Sequence, residues 1–235
     1  MDTAIIAGVG PGLGSSLARA FARQGLAIAL LSRHAESSES VAQQIRSNGA
    51  PALVVPTDVG NRQDVESAVA TIRSRFGPIT VLAYNASGYG RGSFLELDAT
   101  TFQQSFQVGV MGAVHLAQAV IPGMLAAGHG FISFTGATAA LRGRAGFAPL
   151  SIAKAGLRML AQSLAREFHP RGIHVVHIIV DGQIDTPKLR AREPQRSDET
   201  MISPDAIASC IIHTFAQPPS AWSHEIDIRP NIEPF

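Results

Sequence analysis

The sequence predicts an α/β fold, a single domain built on a doubly wound parallel sheet of about seven strands flanked by helices. Short apolar runs alternate with longer amphipathic segments, glycines recur just after the predicted helices, and no linker, repeat or low-complexity tract divides the chain. In order, Thr3 to Ala7 reads as a strand and Ser15 to Gln24 as a helix. Leu26 to Leu31 is followed by helical Glu36 to Ser47, and Ala52 to Val55 by helical Asp64 to Phe76. Ile79 to Ala83 precedes one long helix from about Thr100 to Ala126. Gly130 to Phe134, a helix from about Leu150 to Phe168, and Ile173 to Val180 continue the rhythm. Strands this uniformly apolar read as parallel, because helices then cover both sheet faces. Gly25, Gly49, Gly77, Gly128 and Gly172 each stand where a helix needs a left-handed cap before the next strand. Ser203 and Pro204 are an N-cap and first helical residue for a helix to about Phe215, and Glu225 to Arg229 reads as the last strand.

Composition sets the bounds. The 235 residues are 46% hydrophobic and 16% charged, enough apolar content for a full core. Nineteen basic and eighteen acidic residues leave a formal charge of +1, which does not favour electrostatic binding to nucleic acid. Unbroken apolar runs such as Leu26 to Leu31 fall far short of the roughly 18 residues of a membrane span, so a soluble protein is expected. The start, Met1-Asp2-Thr3, carries no export pattern, and the lone Cys210 fits a reducing compartment, so the expected location is cytoplasmic. The eight histidines show no metal spacing: His174 and His177, three apart on one strand, face opposite sides, and no metal is expected.

Gly8-Val9-Gly10-Pro11-Gly12-Leu13-Gly14 lies between the first strand and first helix, with GxxxGxG spacing. Glycines there permit a tight turn, let backbone N–H groups approach a pyrophosphate, and aim a helix N-terminus at its charge. That position, strand behind and helix ahead, points to a dinucleotide.

On this loop and the segments after it, nearly the whole chain resembles the short-chain dehydrogenase/reductase family, and the resemblance implies a Rossmann fold. Thr57-Asp58-Val59 resembles the family's adenine-contacting segment after the third strand. Asn85-Ala86-Ser87-Gly88 is similar to its NAG turn, which packs under the cofactor. Asp181-Gly182-Gln183-Ile184-Asp185-Thr186-Pro187 resembles the PGxIxTP turn at the nicotinamide, with aspartate in place of the first proline. The resemblance implies cofactor contacts from Gly8, Gly12, Leu13, Gly14, Ser32, Arg33, Asp58, Val59, Asn85, Ala86, Lys154, Gly182 and Ile184. NAD-binding relatives carry an acid at the end of the second strand, where this chain has Ser32 followed by Arg33. A serine can donate to a 2′-phosphate and an arginine can pair with it, so NADP(H) is favoured over NAD(H).

The same resemblance implies a serine, tyrosine, lysine and asparagine as catalytic machinery. Leu150-Ser151-Ile152-Ala153-Lys154-Ala155-Gly156 matches the YxxxKxG pattern, with Lys154 at the lysine and Leu150 at the tyrosine. Ala137 stands at the serine position with Thr138 beside it, and Gly109 matches the asparagine. The enoyl-reductase variant fails too, because Phe147 stands seven residues before Lys154. An alkoxide formed without its donor loses about 3 to 4 kcal/mol of support. Lys154 and Thr138 are therefore the candidate catalytic residues, with Ser151, Tyr84 and Tyr89 as other hydroxyl sources.

The expected function is an NADP(H)-binding oxidoreductase with an atypical site and an unknown small-molecule substrate. The alternative is a cofactor-binding pseudoenzyme, a redox sensor or interaction subunit. Arg142 and Arg144, in the loop after the fifth strand, are candidates for binding an anionic substrate. The polar stretch Asp185 to Thr200 is either a solvated loop or a substrate lid. A homodimer or homotetramer is expected from the resemblance. Small residues on the two long helices (Ala113, Ala117, Ala155, Gly156 and Ala161) and a charged last strand suit such an interface, and core packing explains the small residues equally well.

Overall fold

The computed structural model describes residues 1–232. Strands β1 (Thr3–Ala7), β2 (Ala27–Ser32), β3 (Ala52–Pro56) and β4 (Ile79–Tyr84) alternate with helices α1 (Leu13–Arg23), α2 (Glu36–Ser47) and α3 (Arg62–Phe76). Helix α4 (Ala99–Phe106), a π-helical turn (Gln107–Met111) and α5 (Gly112–Ala127) lead to β5 (Gly130–Thr135). Then come α6 (Ala148–Phe168), β6 (Ile173–Val180), β7 (Gln183–Ile184) and α7 (Pro187–Arg192). The described chain closes with β8 (Met201–Ile202), α8 (Pro204–Phe215) and β9 (Glu225–Ile228).

Seven strands form one parallel sheet in the order β3-β2-β1-β4-β5-β6-β9. The order reverses between β1 and β4, which opens a crevice at the C-terminal strand ends. Alternate strand residues feed opposite cores. Ile5, Leu31, Leu82 and Phe134 meet Val69, Ile72, Leu116 and Leu157 on one face. Ile6, Ile28 and Val176 meet Leu17, Phe21, Ile45 and Ile211 on the other. Each such side chain, fully buried, stabilises the fold by about 1.5–3 kcal/mol. All five glycines expected to end helices have positive φ.

The single long helix expected over Thr100 to Ala126 is instead interrupted. Gly112 N–H reaches the Gln107 carbonyl, a five-residue step, and the widened turn offers the Val108 carbonyl to the Tyr84 hydroxyl, which donates to it. Tyr84 is fully buried, and burial pushes its pKa up, so it is a packing residue. The helical run Ala99–Ala127 is also long and apolar enough to cross a membrane by length and composition, with mean hydropathy 1.6. Half of that stretch is buried inside the fold, where Ala113, Leu116, Ala117 and Val120 join the core. Ala113, Ala117 and Ala161 thus serve core packing, and of the five small residues expected at an interface only Ala155 is exposed.

The last strand also differs from expectation. Glu225 turns its charge inward: Arg158 donates to both of its oxygens at 2.7 Å, and His177 Nδ1 lies 3.1 Å from Oε2. Burial holds the fully enclosed His177 imidazole down to about 4, so it is neutral at pH 7. His174 stacks its ring on Trp222 at 4.7 Å. Among the described residues no group of three or more His, Cys, Asp or Glu is placed to hold a metal.

Replacing Tyr84 with Phe removes the donor to the Val108 carbonyl while keeping the ring. The expected loss is about 1–3 kcal/mol, read as a lower urea midpoint with unchanged slope. An unchanged midpoint would show that another group satisfies that carbonyl.

Candidate functional site

The glycine loop is shaped by what it touches. Gly8 has φ +89°, and a Cβ there would sit 2.5 Å from the Ala86 nitrogen. Asn85 Nδ2 donates to the Gly8 carbonyl at 2.9 Å, so the Asn85–Ala86 turn holds the loop from beneath. A Cβ on Gly14 would strike the Gly8 carbonyl, so α1 can start this close to β1 only with glycine. Gly12 caps α1 with no side-chain hydrogen bond, which leaves leading N–H groups of the helix open to an anion.

A cleft of about 450 Å³ runs from this loop across the ends of β2, β3 and β4. Its wall brings together Gly8, Ser32, Arg33, Asp58, Val59 and Ala86. Asp58 accepts from the Gly60 N–H at 2.9 Å and stays exposed at the rim. Arg33 is exposed and makes no hydrogen bond or ion pair among the described residues. Ser32 differs: its hydroxyl donates to the His34 carbonyl at 2.8 Å and lies 2.7 Å from Ser38 Oγ, closing the β2–α2 turn. His34 and Ser37 also line the cleft, and neither carries a signal in sequence beyond its nearness to Arg33. The open helix N-terminus, the glycine cradle and this cationic rim fit a nicotinamide dinucleotide.

A second pocket, about 530 Å³, opens between the ends of β5 and β6. Ala137, Thr138, Arg142, Arg144, Leu150 and Ser151 stand in its wall, with Phe147, Gly182 and Arg196. The Ser151 hydroxyl oxygen is buried without a hydrogen-bond partner among the described residues. Thr138 donates its hydroxyl to Asp181, a carboxylate 2% exposed whose other oxygen lies 3.0 Å from Arg229. The aspartate was visible in sequence as a departure from proline, whereas its partner Arg229 comes from the far end of the chain. Tyr89 is 63% exposed and stands in the first cleft, away from this pocket.

The segment expected as loop or lid is structured in place. β7 and β8 pair at its two ends, and Arg190 bonds both Asp185, at 2.6 Å, and Asp198, at 2.9 Å. Thr186 packs on Gly12 of the glycine loop, while Arg196 reaches the second pocket, so one segment touches both spaces. Ile184 lies on β7, immediately before it.

Lys154 lies in neither wall. It is 5% exposed and donates to the Thr135 carbonyl at 2.6 Å. Burial pulls its ammonium down to about 8, because the charged form loses hydration. A Cβ on Gly109 would sit 2.8 Å from the Ala153 side chain, so the π turn and α6 approach too closely there for a larger residue to enter without shifting them. With Lys154 at about 8 in the folded chain and 10.5 unfolded, the unfolded state binds more protons between these values. Stability from this group therefore rises with pH across that window, by up to about 3 kcal/mol. Urea midpoints at both ends of the window should show the rise, and Lys154→Met should flatten it. A rise of the same size in the variant would assign it to other groups.

Comparison with known proteins agrees with this geometry. A family model described as short chain dehydrogenase matches residues 2–197. An uncharacterized oxidoreductase of Staphylococcus aureus (strain USA300) is 25% identical over 227 residues, covering 97% of this chain and 96% of the relative. The crystal structure of a short-chain dehydrogenase from Rhodopseudomonas palustris superposes with TM-score 0.81 at 30% identity, covering 97% of this chain and 98% of that one. The alcohol dehydrogenase of the archaeon Thermococcus sibiricus, solved with 5-hydroxy-NADP, shares the fold with TM-score 0.88 at 23% identity, covering 98% and 97%. With the family model matched over residues 2–197, most of its length, this chain belongs to the short-chain dehydrogenase family of oxidoreductases.

Proposed function

We propose that the protein is an NADP(H)-dependent oxidoreductase with an altered proton-handling site, acting on a small anionic molecule. The observation that carries the cofactor choice is Arg33, a guanidinium uncommitted among the described residues at the cleft rim where β2 ends. A 2′-phosphate there gains a charge-assisted bond, and among the cleft residues the only carboxylate is Asp58, at the end of β3. When bound, the dinucleotide supplies hydride transfer. Gly8, Gly12, Leu13 and Gly14 cradle its phosphates, Asp58 and Val59 meet its adenine end, and Asn85 and Ala86 support it from below. Lys154, Gly182 and Ile184 serve the nicotinamide end.

Leu150, Ala137 and Gly109 stand where the family resemblance places tyrosine, serine and asparagine, which supports the reading of an atypical site. The polar groups left to act are Thr138 and Lys154, with Ser151 in the same pocket wall as Thr138. Arg142 and Arg144 receive the anionic part of the substrate. Residues 185–200 act as the lid, a reading supported by the contacts of Thr186 and Arg196 with the two spaces. Exposed Phe106, Ile152 and Met159 on α4 and α6 support self-association into a homodimer or homotetramer.

Calorimetric titration with NADPH and NADH tests the proposal. NADPH should bind at least about tenfold more tightly, a difference of about 1.4 kcal/mol, and Arg33→Ala should erase the preference. Equal affinities in the parent protein would refute the assignment. Tight NADPH binding with no turnover on any acceptor would favour a cofactor-binding pseudoenzyme.

A further inference from the structure

The direction of one hydrogen bond decides what the second pocket can read. Asp181 is 2% exposed, and its Oδ2 lies 3.0 Å from Arg229 and 3.9 Å from Arg142. A carboxylate accepts hydrogen bonds and donates none, so the single proton of the Thr138 hydroxyl points at Asp181 Oδ1. Thr138 Oγ1 then offers only lone pairs to the pocket. A ligand carbonyl would meet it lone pair against lone pair, whereas a ligand hydroxyl supplies the missing proton. In the same wall, Arg142 has a side chain 57% exposed and Arg144 stands two residues on, both suited to a carboxylate. Phe147 and Leu150 add apolar surface to the same wall.

We propose that this pocket takes a hydroxy carboxylate, whose hydroxyl donates to Thr138 Oγ1 while its carboxylate pairs with Arg142 and Arg144. The binding stands on the pocket alone; the chemistry rests on the oxidoreductase reading above. On oxidation the hydroxyl proton passes to Thr138 Oγ1 as that oxygen releases its own proton to Asp181. The O–H bonding pair becomes the second C–O bond, and the carbinol C–H leaves as hydride to an oxidised nicotinamide dinucleotide. An oxo acid, the reduced dinucleotide and a protonated Asp181 result, and Asp181 returns its proton to water. Asp181 and Thr138 thus form the proton acceptor, with Asp181 acting through Thr138 as a positioning and accepting group.

The test is calorimetry on the full chain, without nucleotide and with NADP⁺, using mandelate and phenylglyoxylate as a matched hydroxy acid and oxo acid. Mandelate should bind about tenfold more tightly, the scale expected when a site is built for one hydrogen-bond polarity. Thr138→Val should erase the preference and Thr138→Ser should keep it. Asp181→Asn is the sharpest variant: its amide oxygen faces the two guanidinium groups, its NH₂ donates to Thr138, and the Thr138 proton turns to the pocket. The preference should then invert toward phenylglyoxylate, a result that loss of packing would not produce. Circular dichroism establishes that each variant is folded. Equal affinity in the parent, a preference for phenylglyoxylate, binding of neither probe, or an unchanged preference in folded Asp181→Asn would each overturn the proposal. Failure of NADPH to bind would instead overturn the oxidoreductase reading and leave the nucleotide-free comparison standing.

Discussion

The close approach of Gly8 to the Asn85–Ala86 turn is the constraint on which the working end of this molecule depends. β1 and β4 are neighbours in the sheet, yet the segments leaving them depart toward opposite faces. The gap between those segments is the crevice, and its floor is held by Asn85 N–H donating to the Ala7 carbonyl at 2.8 Å and the Asn85 amide donating to Gly8. Any side chain at position 8 would collide with the Ala86 backbone and force the floor open. The glycine loop is therefore a packing solution in its own right, and the same geometry suits the phosphate cradle proposed for it.

A second theme is the amount of polarity the fold buries close to its pocket. Lys154, the Arg158–Glu225–His177 group and the Thr138–Asp181–Arg229 group all sit within or against the apolar layers. Burying a charge alone costs several kcal/mol, so each group is kept by a specific partner, and breaking one partner leaves the other stranded. These pairings tie α6 to β5 and β9, and the end of β6 to the segment after β9. A leucine at position 150 has not left the pocket apolar, because hydroxyls and guanidinium groups from other elements fill the surrounding wall.

The strands, the helices and their order were legible in the sequence because the apolar periods are strong and the glycine stops fall between them. Where the sequence left the structure open or misled, the causes are tertiary. The helix over Thr100 to Ala126 widens into a π turn, where the Val108 carbonyl accepts from Tyr84 on a strand distant in sequence, a partner that helical periodicity does not register. The segment from Asp185 to Thr200 left loop and lid open in sequence because its polar side chains satisfy one another through Arg190 and Glu193, which looks the same in sequence as solvation.

By itself the sequence determined the layer architecture, the glycine loop and the positions aligned with the family pattern, because each of these is set by residues near one another in the chain. Only the tertiary structure decided the state of the individual polar groups. Ser32 is spent on its own turn while Arg33 beside it is uncommitted among the described residues, although both looked equally available. Asp181 meets Thr138 across 43 residues and Arg229 from the far end of the chain, and that meeting fixes which way the threonine proton points. Hydrogen-bond direction depends on which atoms meet in space, and composition and spacing along the chain do not encode it.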